Sequence, residues 1–374
     1  MISVSIFSFF SGCGILDLGF ESAGYKIKLV NEYSLEFLRA YQFSRAKMNM
    51  SAPEYGYANA DINTFLQDRK AELKRYMAIE HKAGNTIGFI GGPPCPDFSV
   101  GGKNRGRHGD NGKLSQTYVS LIVEMKPDFF LFENVKGLWR TARHREYYDE
   151  LKTQLKAAGY SLTERLTNAL EFGVPQDRDR ILLIGIRTTA LKDRRKGLAD
   201  FPWAKKMTQS LDDVKKAPWP IQNPFVEDGH LDCPNEIIKE LTVEFWFERN
   251  EVSSHPDGNR FFKPKGGFEK MKTIEEGDTN KKSYKRIHRW RYSPTVCYGN
   301  NEVHLHPYKA RRLSVAEAMA LQSLPKNFCL PPDITLSSCF KTIGNGVPYL
   351  LAEGIAKTLL EYLEDNLKRK GNKR

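Results

Sequence analysis

Short, mostly apolar runs recur along the chain, some broken by single polar residues, separated by longer segments whose apolar residues fall three or four apart. The runs lie at residues 3–10, 26–31, 87–90, 129–132 and 181–186. An uninterrupted apolar run of about four to eight residues, bounded by turn formers, marks a strand buried on both faces. Between the runs, residues 15–23, 115–126 and 136–158 carry helical spacing, and 64–86 reads as a charged, solvent-facing helical stretch. A further short strand is expected to close near Ala60-Asp61-Ile62. Buried strands alternating with helices predict an α/β fold built on a doubly wound, mostly parallel sheet.

The pattern changes near residue 188. From there to about 295, prolines, aromatics and lysines mix without a sustained period, which predicts a smaller, irregular module. Regular spacing returns at 311–324, a helix predicted to be capped by Ser314 with Glu317 closing the capping box. Gly344-Asn345-Gly346-Val347-Pro348 predicts a tight turn over 342–348 before a last helix at 349–367 and a frayed basic tail. The expected division is therefore a catalytic domain over 1–187, a recognition domain over 188–310, a helical connection over 311–341, and a segment over 342–374 that returns to the first domain.

Chemistry-bearing residues collect where the strands end. Ligands of open α/β sheets bind outside the carboxyl ends of the strands. The first run leads into Ser11-Gly12-Cys13-Gly14, where Gly12 and Gly14 let backbone approach a ligand closely. The second ends in Glu32-Tyr33, a carboxylate placed to hold ribose hydroxyls or simply to face water. The run at 87–90 stops at Gly91-Gly92-Pro93-Pro94-Cys95, a thiol on a stiff frame that reads equally as a nucleophile or as a structural cysteine. The strand at 129–132 ends in Glu133-Asn134-Val135, bringing a carboxylate to the same edge. Arg178 and Arg180 precede the strand at 181–186, and their alternation leaves open whether they share a face.

Charge narrows the partners. With 57 Lys and Arg against 45 Asp and Glu, the formal net charge of +12 favours a polyanion, most simply nucleic acid. Two basic stretches suit phosphate contact. One is the glycine-rich loop with Lys103, Arg105 and Arg107 beyond Ser99, and the other carries Arg286, His288, Arg289 and Arg291 among aromatics. The 6 cysteines form no CxxC pair and no zinc spacing, so no metal is expected and the thiols read as reduced and intracellular. Neither a basic leader nor an apolar stretch of about 18 residues is present, so a soluble, cytoplasmic protein is expected.

Taken in order, these motifs resemble those of DNA (cytosine-5) methyltransferases. The opening Phe7-Ser-Phe-Phe-Ser-Gly-Cys-Gly, Gly92-Pro93-Pro94-Cys95, Glu133-Asn134-Val135, Gln176-x-Arg178-x-Arg180, the stretch from Arg311-Arg312-Leu313 to Leu321-Gln322, and Gly344-Asn345-Gly346-Val347-Pro348 each look like a family motif. They span nearly the whole chain outside about 190–290. The resemblance implies a Rossmann-like, S-adenosylmethionine-dependent methyltransferase domain with a target-recognition domain. It implies that Cys95 attacks carbon 6 of a flipped cytosine in duplex DNA, that Glu133 contacts ring nitrogen 3 and the exocyclic amine, and that Arg180 holds the base carbonyl with Arg178 in support. It also implies that Phe10, Gly12, Gly14, Glu32, Tyr33, Asp61, Ile62, Pro94, Leu114, Asn345 and Val347 line the cofactor pocket. A monomer paired with a separately acting restriction endonuclease is the implied setting.

Two positions depart from the family pattern. Pro96 stands where glutamine usually follows the nucleophile, which bears on the loop at the DNA. Ile15 replaces the second glycine of the opening pair, which bears on backbone approach to the cofactor. The competing readings are a tRNA cytosine-5 methyltransferase on the same scaffold and a nucleic-acid-binding protein without catalysis. A nicotinamide-dependent dehydrogenase is disfavoured because the first turn lacks GxGxxG.

Overall fold

The computed structural model describes residues 2–94, 110–140, 142–264, 266–280, 284–296 and 304–368. The first half alternates strands and helices: β1 (Val4–Phe9), α1 (Ile15–Ser22), β2 (Lys26–Asn31), α2 (Leu35–Lys47), β3 (Tyr57–Ala58), α3 (Lys70–Lys82), β4 (Thr86–Gly91), α4 (Asp110–Met125) and β5 (Phe129–Val135). Then come α5 (Gly137–Arg140), α6 (Ala142–Ala157), β6 (Tyr160–Asn168), β7 (Gln176–Asp177) and β8 (Asp179–Arg187). The irregular stretch holds α7 (Leu211–Lys216), α8 (Val243–Arg249), α9 (Phe268–Lys272), β9 (Lys285–Arg286), β10 (Ser293–Pro294) and β11 (His304–Leu305). The chain closes with α10 (Val315–Leu321), α11 (Leu336–Asn345) and α12 (Tyr349–Asn366).

One seven-stranded sheet runs in the order β3-β2-β1-β4-β5-β8-β6. Strands β1 to β5 pair in parallel, and β8 is antiparallel to both β5 and β6. The parallel strands finish level: Phe9 lies opposite Asn31 and Gly91, Asn31 opposite Ala58, and Gly91 opposite Phe132. Strand order reverses between β1 and β4, which opens a crevice at that edge. Side chains alternate across the sheet. Phe7, Phe9, Phe89, Phe130 and Phe132 pack with Tyr118 of α4 and Tyr148 of α6 on one face. Ile6, Val30, Ile90, Phe129 and Leu131 pack with Phe20 of α1 and Leu359 of α12 on the other. Both faces are covered, which is why the strands read as largely apolar runs.

Several expectations shift. Asp61 ends no strand; β3 stops at Ala58, and Asp61 caps a short 3₁₀ turn, Ile62–Leu66. Helix α4 begins at Asp110, so the end of the basic loop is helical. Strand β6 pairs along all of β8 and was not anticipated. The segment expected as a turn over 342–348 is helical through Asn345, and the chain turns only at Gly346. The capping box at Ser314 and Glu317 is present as expected. Leu191, Leu198 and Phe201 join the core that contains α12, so packing carries the large unit beyond 187. Helix α10 is shared. Met319 packs with Cys13, Ile15 and Ile343, whereas Ala316 and Ala320 pack with Trp246 and Phe247 of α8. Among the described residues, no helix is long and apolar enough to cross a membrane.

Candidate active site

The crevice begins at the turn after β1. Gly12 and Gly14 hold φ values of 57° and 82°, in the left-handed region that favours glycine. A Cβ on Gly14 would also strike the Tyr41 ring. Phe10 adopts φ 56° and sets its ring edge-on to Tyr118, 6.0 Å between centroids. The Gly12 amide donates to Glu32 Oε2 at 2.8 Å, and the Ser34 amide donates to Oε1 at 2.8 Å. Burial raises the Glu32 carboxyl above its ordinary pKa, and these amides with Lys341 oppose the shift. Beside it Tyr33 is 75% exposed, a large ring with little protein against it. Asp61 is exposed and accepts from the Asn63 amide at 2.8 Å; Ile62 below it is buried.

The other predicted pocket residues differ in exposure. Pro94 and Leu114 are half-buried, Asn345 is exposed at the end of α11, and Val347 is buried. Thr342 of α11 places Oγ1 3.7 Å from where a Cβ on Gly12 would sit, so α11 abuts the first turn. Ile15 is buried and turns away into the cluster with Met319 and Ile343, where a Cβ on Gly346 would strike it. The residue that replaces the family glycine thus fills core.

At the neighbouring strand end, Glu133 and Arg180 are both buried, with Glu133 Oε1 2.7 Å from Arg180 Nε. Glu133 pairs with Leu182 and Val135 with Arg180, so the antiparallel β8 delivers the guanidinium to the carboxylate. Gly92 lies against Glu133, whose Oε2 fills the space a Cβ on residue 92 would need. Desolvation raises the Glu133 pKa, opposed by the charges of Arg180 and Arg178. The Gly-Gly-Pro-Pro frame therefore comes up to the carboxylate backbone first. Cys95 and Pro96 lie outside the described residues.

Arg178 has a different place from the one expected. Its guanidinium donates to the carbonyls of Val296 at 3.2 Å, Gly344 at 2.6 Å and Gly346 at 3.1 Å. It pins the closing turn and the backbone at Val296 to the sheet, and acts on Glu133 through its charge.

Three of the expected DNA contacts are internal. Arg286 is 0% exposed and donates to the carbonyls of Met271, Ile274, His306, Pro307 and Lys309, with its charge over the Phe225 ring. Arg289 forks onto Glu276 at 2.8 and 2.9 Å, donates to Gly229 O at 2.7 Å, and stacks over Tyr308. His288 is buried between Asn223 Oδ1 and the Trp290 amide, and burial lowers its pKa to about 4, so it stays neutral. These groups hold loops together and cannot reach phosphate. Arg291 is half-buried beside Tyr292 and remains available. Ser99, Lys103, Arg105 and Arg107 lie outside the described residues.

Among the described residues, one group of ligand-type side chains clusters: His255, Asp257 and Cys329. Its polar atoms are already engaged. His255 Nδ1 accepts the Asp257 amide and Nε2 meets Phe328 O, while Asp257 takes Arg260 and the Leu330 amide. Sequence reasoning missed the polar residues under the first turn, Ser8, Asp17, Asn31 and Arg45, all buried. Their signal was present: Ser8 and Asn31 interrupt or end apolar strands, where a polar side chain needs a partner.

Comparison with known proteins matches this geometry. The description of C-5 cytosine-specific DNA methylase fits residues 4–361. Type II methyltransferase M.NmeDI of Neisseria meningitidis serogroup C is 54% identical over 366 residues, covering 97% of this chain and 85% of the relative. Type II methyltransferase M.FnuDI of Fusobacterium nucleatum is 29% identical over 377 residues, covering 98% and 97%. A solved putative DNA modification methyltransferase encoded within an E. coli prophage shares the fold with a TM-score of 0.67 at 22% identity, covering 97% of this chain and 100% of that one. The S. pombe Dnmt2 methyltransferase shares it at 0.61 and 12%, covering 96% and 99%. With the match running almost end to end, the chain belongs to the family of C-5 cytosine-specific DNA methylases.

Proposed function

We propose that the chain methylates carbon 5 of a flipped-out cytosine at a specific duplex DNA site, through a covalent adduct between Cys95 and carbon 6, with S-adenosylmethionine as methyl donor. The crevice residues fit that cofactor. Glu32 keeps acceptor capacity on both carboxylate oxygens after two amide contacts, which suits a ribose diol. The exposed Tyr33 ring offers a stacking face, and Asp61 offers an acceptor for an exocyclic amine. The left-handed Gly12 leaves backbone where the amino-acid end would lie. The cofactor supplies an electrophilic methyl group on a sulfonium.

The observation that carries the proposal is the buried Glu133–Arg180 pair beside Gly92. Carbon 5 of cytosine is a weak nucleophile until a thiolate adds to carbon 6. Free thiols are only a few per cent ionised near pH 7, so the rest of the site must favour addition. Addition loads electrons onto ring nitrogen 3. A carboxyl whose pKa is raised by burial can donate a proton there, and Arg180 beside it can hold the base carbonyl. Loss of the proton on carbon 5 after methylation expels the Cys95 thiolate. Extruding the base from duplex costs a few kcal/mol, offset by phosphate contacts that the +12 charge favours.

The 54% identity to a Type II methyltransferase supports a modification enzyme working beside a separate restriction endonuclease. Duplex DNA carrying 5-fluorocytosine tests the adduct, because fluorine blocks the last elimination. Wild type should form a denaturation-resistant complex that Cys95→Ala does not. A complex formed equally by Cys95→Ala would rule out this nucleophile.

A further inference from the structure

Beneath the three turns assigned to the cofactor runs a line of buried polar groups. Asp17 Oδ1 accepts from Ser8 Oγ at 2.7 Å, and Ser8 Oγ lies 2.8 Å from Ser11 Oγ. The Ser11 hydroxyl and amide both donate to Asn31 O, at 3.2 and 3.1 Å. Asn31 Nδ2 in turn donates to Ala58 O at 3.1 Å and Ala60 O at 2.8 Å. Asp17, Ser8 and Asn31 are each at most 2% exposed. Polar groups so buried are costly unless paired, so the line holds one arrangement strongly.

Asn31 is its junction. It ends β2, directly before Glu32; its carbonyl holds the residue directly before Gly12; and its amide holds the residue directly before Asp61. The strand ladders cannot do this alone. Pairing of β1 with β2 stops at Phe9 and Asn31, and β3 contributes only two residues. The Asn31 bonds extend both attachments beyond the ladder, onto the backbone that carries the ligand contacts. Resting on the assignment of this crevice to S-adenosylmethionine, we propose that Asn31 is a positioning residue that fixes Gly12, Glu32 and Asp61 at one mutual spacing for the cofactor.

The test is equilibrium binding of S-adenosylhomocysteine by calorimetry to the full chain, with thermal unfolding of each variant. Asn31→Ala keeps the backbone carbonyl that holds Ser11, but takes the side-chain donor from Ala60 O and leaves Ala58 O with the Glu32 amide, so it should weaken binding roughly tenfold or more. Binding of unmodified duplex DNA in the absence of cofactor should not change. Asn31→Asp sets a carboxylate against the same carbonyls, and a protonated acid restores one donor. Its deficit relative to wild type should therefore shrink from pH 8 to pH 6. Both are measured at a temperature where thermal unfolding shows every variant fully folded at both pH values, so that relief of a destabilised fold does not enter. Ser11→Ala removes one bond of the line and serves if Asn31→Ala does not fold; it should show a smaller loss in the same direction. Wild-type affinity in all three variants, with binding abolished by Glu32→Ala, would overturn the role of Asn31 and leave the pocket assignment standing. Absence of binding by wild type would overturn both.

Discussion

Glu133 is where opposing effects meet. Removal from water favours its neutral form, and two arginines favour the charged one; the net direction is upward. A buried carboxylate paired with only one close cation often stays costly, which is why a raised pKa and a 2.7 Å contact coexist. The protonated fraction falls as pH rises through that raised value. Single-turnover methylation should therefore decline on its alkaline side through this group, while the need for a Cys95 thiolate drives the acid side. Glu133→Gln carries a fixed N–H and does not titrate. It should lose roughly 10²-fold in rate, and the Glu133 component of the alkaline decline should disappear. An unchanged pH profile in Glu133→Gln would remove the carboxyl from the proton path. The position of Glu133 at a strand end was legible in the sequence. Its partner was less so, because nothing local says that β8 runs antiparallel and delivers Arg180.

At the level of elements, what was legible depended on the local signal. β4, β5 and β8 are buried on both faces along most of their length, and nearly unbroken apolar runs announce them, while β1 and β2 carry the same signal with polar interruptions at Ser5, Ser8, Lys26 and Lys28. The start of α10 was readable because a capping box is a local device. β6 lies at the sheet edge with mostly half-buried residues, so Thr163, Glu164 and Arg165 masked the alternation of Tyr160, Leu162 and Leu166. In α11, Leu336, Cys339, Phe340 and Ile343 keep helical spacing, but Gly344 and Gly346 drew attention to a turn. The basic stretch at 285–291 misled for a physical reason. In a unit with few ladders, buried guanidiniums satisfy loop carbonyls that strands would otherwise pair. Arg286→Met should accordingly cost roughly 3 kcal/mol of stability in denaturant unfolding, with the salt dependence of DNA binding unchanged in the folded fraction. A stable variant whose salt slope falls by about one unit would instead return Arg286 to the DNA.

On the scale of the whole molecule, the sheet brings five parallel strand ends level and sets two kinds of chemistry side by side. Glu32 and Asp61 lie on one side of the switch between β1 and β4; Gly92, Glu133 and Arg180 lie on the other. Arg178 ties that edge to the closing turn and, through Val296, to the irregular stretch that precedes α10. A donor pocket and a base pocket meeting at one edge is the central claim. It is tested most directly by incubating the purified protein with duplex DNA and methyl-labelled S-adenosylmethionine, beside Cys95→Ala, and mapping methylcytosine at base resolution. The account predicts label on carbon 5 of cytosine within one short recurring sequence, and none with the variant. Label on another atom, or label that persists in Cys95→Ala, would contradict it.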